Sequence, residues 1–173
     1  AIPDCQYDEI DIYSYRFGKK VSSPFIVSSM TAGHHDALQF NTRLIEACEH
    51  KGWAMGVGSQ RRELSDPEAI AEWAEIRQQA PNAVLLGNLG ITQLIETSLD
   101  DVERLVDNLE AAGMIIHCNP LQECIQPEGT PYFKGALDAI AELADNLSVP
   151  VIVKETGCGF SHSTLERLTS TSV

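Results

Sequence analysis

Four side chains in the stretch M-I-I-H-C-N-P-L-Q-E, residues 114–123, could do chemistry: His117, Asn119, Gln122 and Glu123. The stretch begins as an apolar run after Gly113, the pattern of a buried strand, and Pro120 ends it. Alternation along a strand puts Ile115, His117 and Asn119 on one face. A strand covered on both sides has no ordinary use for an imidazole and an amide at its last inward positions. An imidazole and two amides can donate and accept hydrogen bonds to an anionic or heteroaromatic ligand. Glu123, the one carboxylate of the four, suits a hard cation such as Mg2+. Singly, each reads as structural: a histidine satisfied by backbone, or a Gln-Glu pair starting a helix. Gathered at one strand tip, they read as a site.

Ser59-Gln60-Arg61-Arg62 places two guanidinium groups beside a hydroxyl. Forked donors of this kind capture phosphate; the competing reading is a solvated pair facing Glu63 and Asp66. Lys154 lies two residues beyond Ile152 and shares its face. An inward lysine at a strand end needs an anion. It would serve as a Schiff-base lysine, as a partner for Glu155, or as the counter-charge to a bound cofactor, and the residues alone do not choose. Met30-Thr31-Ala32-Gly33 and Asn88-Leu89-Gly90 combine backbone amides with a small residue that allows close approach. There is no G-x-G-x-x-G and no P-loop. His34-His35 reads as an exposed turn, and His50 and His162 as surface residues.

The elements that position these groups follow from periodicity. Residues 7–20 read as a polar lead-in strand or arm, and residues 24–30 (P-F-I-V-S-S-M) as the first core strand. A helix is predicted over 36–51, stopped by Gly52. Residues 53–58 form a second strand. A helix capped by Asp66, with Pro67 in its first turn, carries Ile70, Trp73, Ala74 and Ile76 on its buried stripe. A third strand covers 83–87, ending in Asn88-Leu89-Gly90. The next helix, 98–112, opens with Ser98 and Asp101 in a capping pattern. The fourth strand is the stretch already described; a loop over 124–134 follows, with Pro127-Glu128-Gly129 as turn material. A helix over 136–147, a fifth strand over 149–153 and a helix opened by Ser163 with Glu166 complete the chain.

Strand, polar tip and helix thus recur about every 30 residues, the length of a βαβ crossover unit. Near-continuous apolar strands fit a parallel sheet covered by helices. Polar tips on every strand point to a (β/α)8 TIM barrel, which builds its active face at the carboxyl ends; a doubly wound sheet would concentrate ligand contacts at one switch point. The 173 residues supply about five of eight units, so the chain is read as a single partial barrel domain.

A net charge of −13 argues against nucleic acid or an anionic membrane surface as partner. No apolar run reaches the length of a membrane span. The five cysteines show no C-x-x-C and no regular spacing, which fits reduced thiols in a cytoplasmic protein.

The ordered set S-S-M-T-A-G, G-S-Q-R, N-L-G, H-x-N-P-L-Q-E, P-E-G and V-K-E-x-G-x-G-x-S resembles the type 2 isopentenyl-diphosphate isomerases, across residues 8–168. That resemblance implies a barrel holding FMN, which must be reduced, usually by NADPH, and which works with Mg2+. It implies interconversion of isopentenyl and dimethylallyl diphosphate in isoprenoid biosynthesis, by a homotetramer or homo-octamer. It further implies that Ser29, Met30 and Thr31 lie along the flavin and that Ser59, Asn88 and Lys154 bond it. Ser59, Gln60 and Arg61 would hold the diphosphate, and His117 and Asn119 would line the diphosphate and metal region. Gln122 would stand near the double bond, relaying a proton or orienting water, and Glu123 would bind Mg2+. His117 and Gln122 are the expected catalytic pair. The family's N-terminal Arg-Lys pair would precede Ala1 and its flavin-phosphate loops would follow Val173, so the native product is expected to be longer. The alternatives are another FMN barrel, such as a 2-hydroxy acid oxidase, and a degenerate barrel kept for binding or assembly.

Overall fold

The computed structural model describes residues 4–32, 34 and 36–173. A short 3-10 turn, Tyr7–Glu9, precedes an antiparallel hairpin of β1 (Ser14–Arg16) and β2 (Lys19–Val21). Phe17 and Gly18 turn it, both at positive φ (52° and 67°). This two-residue geometry matches the twist of the flanking strands. The sequence reading made this stretch irregular because phenylalanine in the left-handed region sends no turn signal. Phe17 and Ala112 pack against a small buried cluster of Val21, Ala54 and Val84. The hairpin therefore covers the amino ends of the main sheet, opposite the polar tips.

The first core strand, β3, is only Ile26–Val27 rather than 24–30. It is an edge strand with one neighbour, and Phe25 and Ile26 are exposed. Phe25 rests edge-on against Trp53, ring centroids 5.6 Å apart. Helix α1 (Ala37–Lys51) follows its predicted bounds. Gly52 ends it at φ 65°, returning its N–H to the Cys48 and Glu49 carbonyls, the left-handed cap glycine provides. β4 (Ala54–Gly56) leads through a 3-10 turn, Gln60–Leu64, into α2 (Pro67–Gln79). Asp66 caps α2 by accepting from the Glu68 N–H. Its buried residues are Ala69, Trp73, Ile76 and Arg77; Ile70 and Ala74 are half-buried. The Arg77 guanidinium donates to the carbonyls of Leu109, Ala80, Ala83 and Glu110, binding α2 to the far end of a neighbouring helix.

β5 (Val84–Gly90) is buried throughout and takes in Asn88-Leu89-Gly90, which the apolar pattern alone had placed beyond the strand. A short helix, α3 (Ile91–Leu94), follows, then α4 (Leu99–Leu109). Ser98 caps α4 through the Asp101 N–H, an interaction worth about 1 kcal/mol. β6 (Met114–His117), α5 (Pro120–Ile125), α6 (Ala136–Asn146), β7 (Val151–Lys154) and α7 (His162–Leu168) complete the order. The cap of α7 is Ser161, accepting from Thr164, rather than Ser163. Ser163 already lies within the first turn, whereas Ser161 has the extended backbone an N-cap needs.

All five long-range strands are parallel and lie in chain order, β3-β4-β5-β6-β7. A doubly wound sheet reverses its strand order at a switch point; among the described residues the order never reverses, and the sheet curls as part of a (β/α)8 barrel. The outward strand residues Met55, Val57, Leu85, Leu89, Met114 and Ile116 join the helical stripes in one core. The residues between them face the barrel interior.

Candidate active site

The sheet register places the inward residues in rows. Asn88, Ile115 and Ile152 form one; Gly90, His117 and Lys154 form the next, at the carboxyl ends. Two sequence-expected residues on adjacent strands therefore stand level with each other, and Asn88 lies one step deeper. Gly90 faces His117 without a side chain, and a Cβ there would come 3.3 Å from the imidazole Cε1. Gln93 Oε1 takes up that space beside the ring.

His117 Nδ1 lies 3.3 Å from Asn88 Oδ1. An amide oxygen only accepts, so Nδ1 carries the proton and Nε2 keeps its lone pair. Burial, then the charge of Lys154, hold the imidazole pKa below its ordinary value, with Glu123 opposing. The ring is therefore neutral near pH 7.

Just past β6, Asn119 and Gln122 grip each other. Asn119 Oδ1 accepts from the Gln122 N–H at 3.3 Å, capping α5, and Asn119 Nδ2 donates to Gln122 Oε1 at 2.7 Å. This turns the Gln122 oxygen inward on its neighbour and leaves the amide NH2 to donate elsewhere. Glu123 Oε2 accepts from the Thr130 N–H at 2.8 Å, fastening the loop over residues 126–130 to α5. Gly129 lies so close that a Cβ would meet the Glu123 backbone. The same loop brings the Glu128 carbonyl within 3.4 Å of Arg61 Nη1, joining the second tip to the fourth.

At the second tip, Ser59 caps the 3-10 turn by accepting from the Arg61 N–H at 3.4 Å. The two arginines part company. Arg62 pairs with Asp66 at 2.7 Å and Glu72 at 3.2 Å, so the solvated-pair reading holds for it; Arg61 alone reaches the mouth. Gln60 is fully buried, its amide bonded to Glu63, the Leu105 carbonyl and the Asn88 N–H. Its side chain is thus engaged beneath the mouth rather than within it, because the 3-10 turn rotates it onto the helix-facing side.

At the first tip, the Ser29 hydroxyl is buried without a hydrogen-bond partner among the described residues, above Gly56 and beside Ile115. Met30 is 77 % exposed. Thr31 bonds to Asn41 of α1, which returns a bond to the Thr31 carbonyl at 3.3 Å. Gly33 and His35 lie outside the described residues. His34 sits in an exposed turn, where the Asp36 N–H donates to its Nδ1 at 3.2 Å.

Lys154 ends β7 half-buried, and its carbonyl accepts from Cys118 at 2.7 Å. Among the described residues it has no ion pair. Glu155 turns away from it, Oε2 accepting from Gly157 and Gly159 at 2.7 Å each. Those backbone N–H groups, with Thr156 first among them, hold its pKa down to about 2. Sequence reasoning missed this turn, as it missed the buried Gln60–Glu63 pair. The i, i+3 spacing in Q-R-R-E was the available signal for the latter.

The described residues hold no group of three or more His, Cys, Asp or Glu able to cage a metal. A single carboxylate such as Glu123 fits Mg2+ bound mainly through water and substrate oxygens.

No family model matches the chain. Curated proteins named isopentenyl-diphosphate delta-isomerase do match it. One from Legionella pneumophila is 57 % identical over 173 residues, covering all of this chain and 51 % of that protein. One from Bdellovibrio bacteriovorus is 51 % identical over 177 residues, with 100 % and 51 % covered. One from Methanococcoides burtonii is 44 % identical over 161 residues, with 93 % and 44 % covered. Among solved structures, a mandelate oxidase mutant with (S)-mandelic acid aligns at TM-score 0.62 and 14 % identity, over 98 % of this chain and 52 % of that one. At that identity the likeness speaks to the barrel fold alone. The chain spans about half the length of the curated relatives it matches, and over that span it is similar in sequence to proteins named isopentenyl-diphosphate delta-isomerase.

Proposed function

We propose that the protein carrying this chain is a type 2, flavin-dependent isomerase that interconverts isopentenyl and dimethylallyl diphosphate. The observation that carries the reading is the inward register at the carboxyl ends, Asn88 beneath a level pair of His117 and Lys154. We read residues 1–173 as one partial barrel domain.

The residues present fit FMN. A buried hydroxyl at Ser29 and a cation at Lys154, neither with a side-chain partner among the described residues, are what an anionic, hydrogen-bonding ring system would satisfy. Met30, Thr31, Ser59 and Asn88 would complete its contacts. When reduced, by NADPH in this reading, the flavin supplies an electron-rich acid/base beside the alkene. Lys154 offsets negative charge there. Arg61, Ser59, His117 and Asn119 would bind the diphosphate, and Glu123 would hold Mg2+, which would offset its charge. His117, neutral and protonated at Nδ1, offers Nε2 as an acceptor to the protonated diphosphate or its water. Gln122, its oxygen held by Asn119, presents its NH2 to orient what lies at the double bond. Gln60 contributes through the Asn88 backbone it holds.

The charge of −13 supports a partner that is neither nucleic acid nor an anionic membrane. No helix among the described residues is long and apolar enough to cross a membrane. A cytoplasmic homotetramer or homo-octamer completes the proposal.

The test is anaerobic turnover of isopentenyl diphosphate with FMN, Mg2+ and NADPH. Formation of dimethylallyl diphosphate, with no reductant consumed after flavin reduction, is the expected result. Net oxidation of a 2-hydroxy acid, or bound flavin without isomerisation, overturns it.

A further inference from the structure

Beneath the second tip a line of hydrogen bonds runs from a buried carboxyl to the mouth. Glu63 is 3 % exposed and Gln60 fully buried. Glu63 Oε2 accepts from Gln60 Nε2 at 3.2 Å, and the same nitrogen points to the Leu105 carbonyl at 3.4 Å. Both of those neighbours accept, so the Gln60 amide has one orientation available to it. Its oxygen is thereby turned to the Asn88 N–H, 3.0 Å away. Asn88 in turn holds His117 at Nδ1. Four residues from three separate elements are thus joined end to end.

We propose that Glu63 is a positioning residue for His117, acting through Gln60 and Asn88 to fix the imidazole in its Nδ1-protonated tautomer. The inference rests on the reading of His117 and Asn88 as site residues. It assigns a role to a residue that touches neither substrate nor cofactor. Without the carboxyl, Gln60 Nε2 keeps only its 3.4 Å contact with the Leu105 carbonyl. The amide is then held less firmly, and with it the β5 backbone whose Asn88 N–H it accepts from. That loosening reaches the ring directly.

The surroundings of Glu63 keep its proton in play. Oε1 has no protein partner among the described residues. Glu63 lines a cavity of about 40 Å3 with Thr31, Asn41, Ser59 and Trp73. The charged groups facing it are Glu72 on α2 and Arg62, itself held by Asp66 and Glu72. α1 presents Ala37, Leu38 and Asn41 there, and α4 the Leu105 carbonyl. Burial pushes the carboxyl up to about 7, with Gln60 opposing and Glu72 adding.

The experiment is 15N NMR of the histidine rings in the full chain. In the wild type, His117 should show the Nδ1-protonated pattern, with its own titration below the ordinary imidazole value and a second inflection near the Glu63 midpoint of about 7. Glu63→Ala should move His117 to a mixed-tautomer pattern. Glu63→Gln, which keeps an accepting oxygen, should retain the tautomer and lose the second inflection. The proposal is overturned if Glu63→Ala folds by circular dichroism and leaves the His117 pattern unchanged. If that variant fails to fold, the wild-type titration decides, and a single inflection overturns it. Inorganic pyrophosphate added to the same sample separates the underlying reading: a His117 resonance that ignores it counts against diphosphate binding without touching the strut.

Discussion

The second and fourth strand tips offer the same kind of raw material and use it differently. Each follows a buried apolar strand with a short run of polar residues, Ser59 to Arg62 in one and His117 to Glu123 in the other. At the fourth, Pro120 starts an α-helical turn capped by Asn119, and His117, Gln122 and Glu123 stay half-exposed around the mouth. At the second, a 3-10 turn rotates successive side chains by about a third of a circle. Gln60 and Glu63 go under the sheet, Arg62 goes to neighbouring carboxylates, and Ser59 and Arg61 remain at the mouth. The lesson is that the backbone after the tip decides which polar residues meet a ligand. Residue type alone does not.

That contrast can be broken at its strongest point first. Gln122→Ala at the fourth tip should lower isomerisation by about 100-fold or more, the scale of a lost proton-handling or water-orienting group. Steady-state rates with flavin content held equal would check it, and unchanged turnover would remove the fourth tip from the chemistry. Next comes stability. The Glu63 carboxyl has a folded pKa of about 7 against an ordinary 4.5, so the folded state binds the extra proton. Stability therefore falls as pH rises through that window, by roughly 3 kcal/mol at most for a shift of that size. Glu63→Gln should recover much of it at pH 8 and little at pH 4, read by urea denaturation. A smaller effect separates the two arginines. Arg61→Ala should weaken pyrophosphate binding by about tenfold, the worth of one charge-assisted bond, whereas Arg62→Ala should leave the titrated affinity unchanged. Smallest is the fifth tip. Glu155 holds its backbone partners with a depressed pKa of about 2, so that contribution is complete above the ordinary carboxylate range and is lost progressively as pH falls from about 4.5 to about 2. Amide exchange at Gly157 and Gly159, corrected for intrinsic rate, should be the same at pH 7 and pH 5 and faster in Glu155→Gln.

The barrel was legible because its period is coarse: five apolar runs, each followed by polar residues and a capped helix, survive errors of a few residues at every boundary. Caps at Asp66, Ser98 and Gly52 were readable because one residue type satisfies one set of orphan backbone groups. The strand bounds were not. β5 runs on through Gly87 to Gly90 because β6 takes up the ladder where β4 leaves it at Leu86, and β3 pairs only at Ile26 and Val27. The level placement of His117 and Lys154 needs inter-strand register, which no single strand records. Gln60 was misplaced for a related reason, since its direction depends on a 3-10 turn that resembles the start of a helix. The Phe17-Gly18 reversal carried no compositional cue at all.

That reversal has a consequence for how the molecule keeps its interior dry. Phe17 lies within van der Waals reach of the place a side chain on Gly113 would occupy, at 3.5 Å, beneath strands contributed by three successive crossover units. A residue near the chain's beginning thus serves as a stopper for a vessel whose walls come later. Phe17→Ala would let solvent in from below while every group at the rim kept its sequence, and the loss would register as leakiness rather than as altered chemistry.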